Sequence, residues 1–238
     1  MHKMGQTRSA RRPDHLLQTP DTFVRTPWLG IRNGVVIVHV SPATGARFTE
    51  YTAEFEPGGS LLPTGEQRFV FVLDGQAKID GVCLTPGGYA YLPPAHPTVV
   101  TARNIARVVV IEKPRMSSIA PPALFTGHES NVAPSPLADD ESLTVRSLLP
   151  DDPSFDFAVN TMTYLPGASL PIVEIHVMEH GLLMLEGGGI YRLGDCWYQA
   201  AAGDFIWMAP FCPQWFGALG KTPAKYLIYK NWQRGLLE

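Results

Sequence analysis

The sequence predicts an all-β fold made of two consecutive, related β-barrels. Glycine and proline each occur 22 times among 238 residues and are spread along the chain, so they divide it into short segments. Many of these segments are β-branched and apolar, as at residues 35–40, 68–73 and 107–111, and few windows keep a helical period for three turns. The segments also recur in two similar series, which indicates two copies of one β-unit.

The repeat emerges when residues 56–113 are compared with residues 165–230. Each copy begins with a Pro-Gly turn, continues with an apolar strand that ends at a turn glycine, and closes with two further strands in the same order. The matching blocks are 57–61 with 166–170, 69–75 with 181–187, 87–94 with 202–210, and 106–113 with 224–231. We therefore expect an N-terminal barrel over residues 31–115 and a C-terminal barrel over residues 154–238, each long enough to bury a core.

Two segments lie outside the expected barrels. Residues 1–30 form a basic N-terminal arm, for which loose packing is favoured over docking on a neighbouring subunit. Residues 116–153 are rich in proline, serine and aspartate, which is typical of a linker, with one short element expected at residues 143–149. Open barrel sheets have edges that a partner usually covers, so the sequence favours a homo-oligomer.

The charge and the cysteine content limit which partners and which cellular compartment are expected. The net charge is −3, from 19 basic and 22 acidic residues without a long run of one sign, so neither nucleic acid nor a membrane surface is an expected partner. No stretch approaches the ~20 apolar residues of a membrane span, and the N-terminus lacks the apolar core of a secretion signal. The three widely spaced cysteines fit neither a disulfide framework nor a thiolate zinc cluster. A cytoplasmic protein with a small-molecule substrate is predicted.

The second copy contains a cluster of metal-binding residue types. Glu174, His176 and His180 stand in the pattern Glu-x-His-x-x-x-His. On a strand, residues separated by even numbers share a face, so these three would point together while Ile175 and Val177 point away. One carboxylate and two imidazoles suit Mn²⁺, Fe²⁺, Zn²⁺, Ni²⁺ or Co²⁺. The alternative is a pair of solvent-facing histidines beside an unrelated glutamate.

A second interpretation of the same residues is a protease. His176 to His180, with Glu179 between them, spell H-x-x-E-H, the signature of an inverted zinc metalloprotease helix. That motif requires a helix. The flanking β-branched residues and the glycines at 187–189 disfavour one, so we place Glu179 on the opposite face of a strand.

The residues of the second copy resemble the two motifs of the cupin superfamily, whose members have jelly-roll barrels. Cupins usually present His-x-His, a glutamate and a later histidine. Here Glu174 takes the first place, His180 stands where the glutamate is common, and Gln214 replaces the last histidine. This departure resembles the (S)-ureidoglycine aminohydrolase family of bicupins, with the likeness sharpest over residues 155–234.

The resemblance implies an activity and a set of site residues. It implies a hydrolase of purine degradation that converts (S)-ureidoglycine and water into (S)-ureidoglycolate and ammonia. It implies Mn²⁺, or another divalent transition metal, held by Glu174, His176, His180 and Gln214, and a substrate pocket that includes Glu174, Tyr191, Gln214, Tyr226 and Lys230. Glu174 and Lys230 are the expected catalytic residues. Alternation along one strand also favours Tyr226 and Lys230 on one face, although a surface lysine and packing tyrosines are the plainer alternatives.

The first copy lacks these donors, and therefore a metal-free N-terminal barrel is expected. Leu62, Thr64, Arg68 and Thr98 align with the four expected ligands, and Val108 and Glu112 align with Tyr226 and Lys230. His96 is expected in a loop or an interface, and His39 is expected as a hydrogen-bonded core or rim residue. A cupin oxygenase or isomerase, or a non-catalytic bicupin that binds a small ligand, remain as alternative functions.

Overall fold

The computed structural model describes residues 6–232, which form β-strands with three short 3₁₀ turns and no α-helix. The strands are β1 (Ala10–Arg11), β2 (His15–Gln18), β3 (Arg25–Thr26), β4 (Ile31–Val40), β5 (Thr49–Leu61), β6 (Gln67–Asp74), β7 (Ala77–Ile79), β8 (Val82–Leu84), β9 (Gly88–Leu92), β10 (Val100–Ala102), β11 (Ala106–Lys113), β12 (Phe125–His128), β13 (Ser135–Leu137), β14 (Asp140–Ser147), β15 (Phe157–Tyr164), β16 (His180–Glu186), β17 (Gly188–Leu193), β18 (Cys196–Ala201), β19 (Phe205–Met208), β20 (Gln214–Ala218) and β21 (Ala224–Asn231). The 3₁₀ turns are Pro20–Thr22, Pro42–Thr44 and Glu129–Asn131. Within the described residues, no helix is long and apolar enough to cross a membrane.

The contacts divide the described chain into two units. The N-terminal unit contains residues 24–133 and 148–156, and the C-terminal unit contains residues 6–23, 134–147 and 157–232. These boundaries differ from the sequence-based ones at the arm and at the linker.

The N-terminal unit is built on one large antiparallel sheet. Its strand order is β12-β9-β6-β11-β5-β10-β7-β8, and β4 pairs with β5 and with β3. Alternate residues of the central strands point to the same side and form one core. That core includes Tyr51, Ala53 and Phe55 from β5, Val70 and Val72 from β6, and Val108 and Val110 from β11.

The C-terminal unit contains two sheets that share a core. The larger has the order β1-β2-β19-β16-β21-β15-β14-β13, and the smaller has the order β18-β17-β20. Met162 and Tyr164 from β15 and Ile228 from β21 pack in one cluster with Tyr191 and Phe216 from the smaller sheet. The smaller sheet carries two of the expected site residues, Tyr191 and Gln214, so this packing positions them against the larger sheet.

The internal repeat is confirmed at the level of strand register. In the N-terminal unit, Glu112 of β11 pairs with Arg68 of β6. In the C-terminal unit, Lys230 of β21 pairs with His180 of β16, which is the correspondence expected from sequence. The matched turn glycines also agree, since Gly75 and Gly187 both have positive φ, and a Cβ on either would meet a backbone oxygen at 2.3 or 2.4 Å.

The N-terminal arm, expected over residues 1–30, is packed rather than loose over residues 6–23, and its residues 25–26 form β3, which pairs with β4. Strand β2 pairs with β19 of the C-terminal unit, and Leu17 is fully buried. Arg8 makes a bidentate ion pair with the buried Asp204, at 2.6 and 2.8 Å, and also donates to the carbonyl of Gln199. The expectation of loose packing was therefore wrong for these residues, because an apolar side chain and a paired charge hold the arm. Residues 1–5 lie outside the described residues.

The expected linker contributes strands to both units. Strand β12 pairs with β9 in the N-terminal unit, whereas β13 and β14 extend the larger C-terminal sheet next to β15. The short element expected at residues 143–149 is the end of β14, which begins at Asp140. The prolines favoured a linker in the sequence-based prediction. However, Pro136 lies in β13 at the sheet edge, where a missing amide hydrogen is tolerated.

Candidate metal centre

The residues of the Glu-x-His-x-x-x-His pattern do not share one strand. Glu174 forms an isolated bridge with Gln214, the chain bends at residues 177–178, and β16 begins at His180. The expectation of a continuous strand was wrong, because the bend resets the alternation of side chains. The expectation that no helix forms here is confirmed. Two backbone hydrogen bonds, of 2.8 and 2.9 Å between Glu174 and Gln214, bring the first and last expected ligands side by side.

The two histidines lie next to the glutamate and to each other. His176 Nε2 is 3.1 Å from Glu174 Oε2, and the rings of His176 and His180 lie 5.5 Å apart at nearly a right angle. His180 is buried and its Nδ1 has no hydrogen-bond partner. Burial, with the positive charge of Lys230, lowers the pKa of His180 to about 3. The ring is therefore neutral, which is the form that binds metal ions.

Gln214 and Tyr191 meet inside the C-terminal unit. Both side chains are buried, and the Tyr191 hydroxyl lies 3.4 Å from Gln214 Oε1, to which it donates a hydrogen bond. Nearby, the hydroxyls of Tyr226 and Tyr164 are 2.7 Å apart. Burial raises the pKa of Tyr191 and of Tyr226 well above the ordinary value, so both act as neutral hydrogen-bonding groups.

Lys230 supplies a positive charge beside these groups. It pairs in register with His180 and is partly buried near the end of β21. Burial lowers the pKa of Lys230, and the negative charge of Glu174 opposes that shift. Tyr226 and Lys230 lie four residues apart on the same face of β21, as expected from sequence.

The donor atoms suit a divalent transition ion, although they are not drawn tightly together. Glu174, His176 and His180 offer one carboxylate and two imidazoles, and Gln214 beside Glu174 offers an amide oxygen. His180 Nδ1 is a buried polar atom that an ion would satisfy. Among the described residues, one group of three His, Cys, Asp or Glu side chains has all its donor atoms within 4.8 Å of one another. This group is Asp14, His15 and Cys212. Glu174, His176 and His180 do not form so tight a group.

In the N-terminal unit an ion pair lies at the positions that correspond to His180 and Lys230. Arg68 donates to Glu112 through Nε at 2.8 Å, and its Nη1 donates to the carbonyl of Leu62 at 2.9 Å. The Tyr51 hydroxyl also donates to Glu112, at 3.1 Å. The guanidinium and the carboxylate therefore satisfy each other in this barrel.

The other two histidines considered from sequence have ordinary hydrogen bonds. His39 is buried with its Nε2 2.9 Å from the hydroxyl of Thr52, which confirms the expected hydrogen-bonded core position. His96 is partly exposed in a loop, where its Nδ1 accepts from the amide of Thr98 at 3.4 Å. Glu179 is buried, and its carboxylate accepts from Trp207 Nε1 at 2.8 Å.

Sequence reasoning missed two residues at this site. Tyr164 precedes the Pro-Gly turn of the second copy, and alternation along β15 would have placed it inside with Met162. Phe211 has a φ of 65°, and its amide donates to the carbonyl of His176 at 2.6 Å. A left-handed phenylalanine depends on tertiary contacts that a sequence does not reveal.

Comparisons with known proteins identify the family of this chain. Residues 160–229 match the cupin domain family, which spans β15 to most of β21. The chain is 39% identical to the (S)-ureidoglycine aminohydrolase of Arabidopsis thaliana, over 98% of this chain and 80% of that protein. This chain belongs to the (S)-ureidoglycine aminohydrolase family. The family member of Escherichia coli K12 is 29% identical over 90% of this chain and 87% of its own length.

A solved structure supports the fold of this family member over most of its length. The crystal structure of protein Ylba from Escherichia coli matches with a TM-score of 0.82 and 25% identity. The match covers 94% of each chain, so both units of this chain have counterparts in that structure.

Proposed function

We propose that this protein is a hydrolase that converts (S)-ureidoglycine and water into (S)-ureidoglycolate and ammonia. The single observation that carries the proposal is the group formed by Glu174, His176, His180 and Gln214 with Lys230 beside it, in a chain of this family. A neutral imidazole, a carboxylate and a cation close to one another offer both metal donors and a partner for a substrate carboxylate.

The proposed ligands are Glu174, His176, His180 and Gln214, and the proposed ion is Mn²⁺. When bound, a divalent ion supplies Lewis acidity and a fixed point of attachment for the substrate. The oxygen and nitrogen donors support a transition metal of this class, because thiolates are absent from the set.

The protein side chains would hold the substrate in one orientation. (S)-Ureidoglycine carries a carboxylate, a ureido group and an amine on one carbon. Lys230 would bind the carboxylate, and Tyr191 and Tyr226 would contact the polar groups through neutral hydroxyls. Glu174 would carry a proton between the attacking water and the departing amine, a task that suits a carboxylate within hydrogen-bond reach. Orientation would then be the source of stereochemical control.

A coupled assay tests the proposed activity. Allantoate is incubated with allantoate amidohydrolase, which supplies fresh ureidoglycine, and the protein is added or omitted. We expect faster ammonia release and an excess of the S enantiomer of ureidoglycolate only when the protein is present. Equal rates and racemic ureidoglycolate with and without the protein would reject this function.

We also propose a cytoplasmic homo-oligomer. The support is the open sheet edges at β8 in one unit and β13 in the other, since exposed edges are commonly covered by a second chain. Light scattering at micromolar concentration should give a mass that is a multiple of the 26.1 kDa chain. A mass equal to one chain would contradict the oligomer.

A further inference from the structure

Asp14, His15 and Cys212 form a cluster that none of the proposed chemistry uses. Their donor atoms lie within 4.8 Å of one another, and both His15 and Cys212 are buried. His15 Nδ1 lies 2.9 Å from Asp14 Oδ1, and its Nε2 lies 2.9 Å from the hydroxyl of Tyr198. The cluster joins the N-terminal arm to the segment just before Gln214.

Hydrogen bonds already complete this cluster. Both ring nitrogens of His15 have partners, and the Cys212 thiol donates to the carbonyl of Pro213 at 3.6 Å. A metal site would need donor atoms that are available to an ion. The geometry therefore favours a mechanical role over a second metal site.

Asp14 contacts the loop of residues 209–213 on one side. Its carbonyl accepts from the amide of Ala209 at 2.9 Å, and its carboxylate lies within 4.8 Å of the Cys212 thiol. The carboxylate also covers Gly194, where a Cβ would lie 2.9 Å from Asp14 Oδ2. The amide of Gly194 in turn donates to the carbonyl of Pro213 at 2.8 Å, so the loop is held at both ends.

On its other side, the same loop contacts one proposed ligand, His176, and leads directly into another, Gln214. The amide of Phe211 donates to the carbonyl of His176, and Gln214, which follows the loop, pairs with Glu174 through two backbone hydrogen bonds. Phe211 adopts a left-handed φ of 65° to make its contact, a conformation that costs about 1–3 kcal/mol and persists only where the surroundings enforce it. Hydrogen bonds thus link Asp14 through this loop to His176, and the loop continues into Gln214.

We propose that Asp14 is a positioning residue for the metal centre. By fixing the loop of residues 209–213, it sets the places of Gln214, Glu174 and His176. This inference rests on the proposed metal site and adds the N-terminal arm to the parts that build it. Residues that hold metal ligands in place typically change metal affinity by about 10- to 100-fold when they are removed.

Calorimetric titration of the full-length, metal-depleted protein with Mn²⁺ alone tests the proposal. Asp14→Ala removes the carboxylate beside His15 and the Cys212 thiol and keeps the backbone hydrogen bond to Ala209, and we expect it to raise the Kd about tenfold. Turnover of ureidoglycine should recover to near the wild-type kcat at saturating Mn²⁺, because Asp14 does not touch the substrate. Arg8→Ala is the matched control. It removes another contact between the arm and the C-terminal unit without touching the loop, and it should lower Tm while the Kd stays within about twofold of the wild type.

The outcomes distinguish a positioning role of Asp14 from general docking of the arm and from a second metal site. An unchanged Kd in Asp14→Ala overturns the positioning role, and an equal loss in Arg8→Ala shows that arm docking in general is responsible. Should Asp14→Ala fail to fold, Cys212→Ala removes the partner on the loop and must weaken Mn²⁺ binding severalfold, or the proposal fails. A second bound ion that is lost in Cys212→Ala would make the cluster a metal site instead. Absence of any Mn²⁺ binding by the wild type would reject the metal centre itself and this inference with it.

Discussion

Lys230 separates substrate binding from metal binding at the level of single residues. It lies beside His180, and burial lowers its pKa while the negative charge of Glu174 raises it. An ammonium group, however, has no lone pair with which to bind a metal ion. If it binds the substrate carboxylate, its loss should affect turnover and leave the ion in place.

We predict that Lys230→Met lowers kcat/KM about ten- to hundredfold without changing metal content. Methionine keeps most of the stem volume and removes the charge, and a charged hydrogen bond in a closed pocket contributes roughly 1.5–3 kcal/mol. Steady-state kinetics and metal analysis measure the two effects. Lys225→Met, which lies on the opposite face of β21, is the control. Unchanged turnover in Lys230→Met would disprove the pocket assignment, and loss of the metal would show a structural role.

The buried side chain of Glu50 should make the free energy of unfolding depend on pH. Its side chain is 1% exposed and Oε2 has no hydrogen-bond partner, so burial raises its pKa to about 8. The folded state then binds more protons than the unfolded state between pH 4.5 and 8. The contribution of protonated Glu50 to the free energy of unfolding is therefore fully present below its unfolded-state pKa, and it is lost as the pH rises through its folded-state pKa.

We predict that Glu50→Gln stabilises the protein at pH 8 and changes stability little at pH 4.5. The upper limit of the difference is about 5 kcal/mol, because each unit of pKa shift corresponds to about 1.4 kcal/mol. Urea unfolding of the two proteins from pH 4.5 to 9 measures it, with the exposed Glu56→Gln on the same strand as control. A pH-independent difference would argue against burial of a titrating Glu50.

At the level of elements, the sequence predicts strands better than it predicts their interruptions. The repeat located β6, β11, β16 and β21 and matched them between the two copies, since apolar runs and turn glycines are local signals. It missed the bend at residues 177–178 and the pairing of Glu174 with Gln214, because a bridge across 40 residues leaves no local signal. Glu174, His176 and His180 were nevertheless named from their residue types and spacing, and Gln214 was named from the resemblance to the family. Their roles stay predictions.

The paired strands β6 and β11 carry the next prediction, which concerns Arg68 and Glu112. Both are well covered, at 3% and 13% exposed, and are joined at 2.6 Å. Removing one partner leaves a buried charge uncompensated, which typically costs about 3–5 kcal/mol. We predict that Glu112→Leu destabilises the protein more than the double change Arg68→Leu with Glu112→Leu. Urea denaturation of the three proteins decides, and a double variant that is less stable than the single one would refute the prediction.

At the level of the whole molecule, two copies of one β-unit carry different chemistry on equivalent strands. Lys230 pairs with His180 in the C-terminal unit, whereas Glu112 pairs with Arg68 in the N-terminal unit. An arginine cannot lose its proton to become a ligand, so the N-terminal unit has a permanent cation where the C-terminal unit has a proposed metal donor. The arm and strands β13 and β14 also extend the sheet of the C-terminal unit, which carries the proposed ligands.

This asymmetry leads to a prediction for the number of ions. Purified protein should contain about one divalent ion per chain, because the first copy has Leu62, Thr64, Arg68 and Thr98 at the positions that align with the proposed ligands. The double change His176→Ala and His180→Ala should remove the ion, since one carboxylate and one amide oxygen are too few donors to hold it. His96→Ala, which removes the partly exposed loop histidine of the N-terminal unit, should leave the ion in place. Elemental analysis after dialysis measures all three proteins. Two ions per chain, or one ion that survives the double change, would mean that the binding site lies elsewhere and that the N-terminal unit is not the metal-free copy.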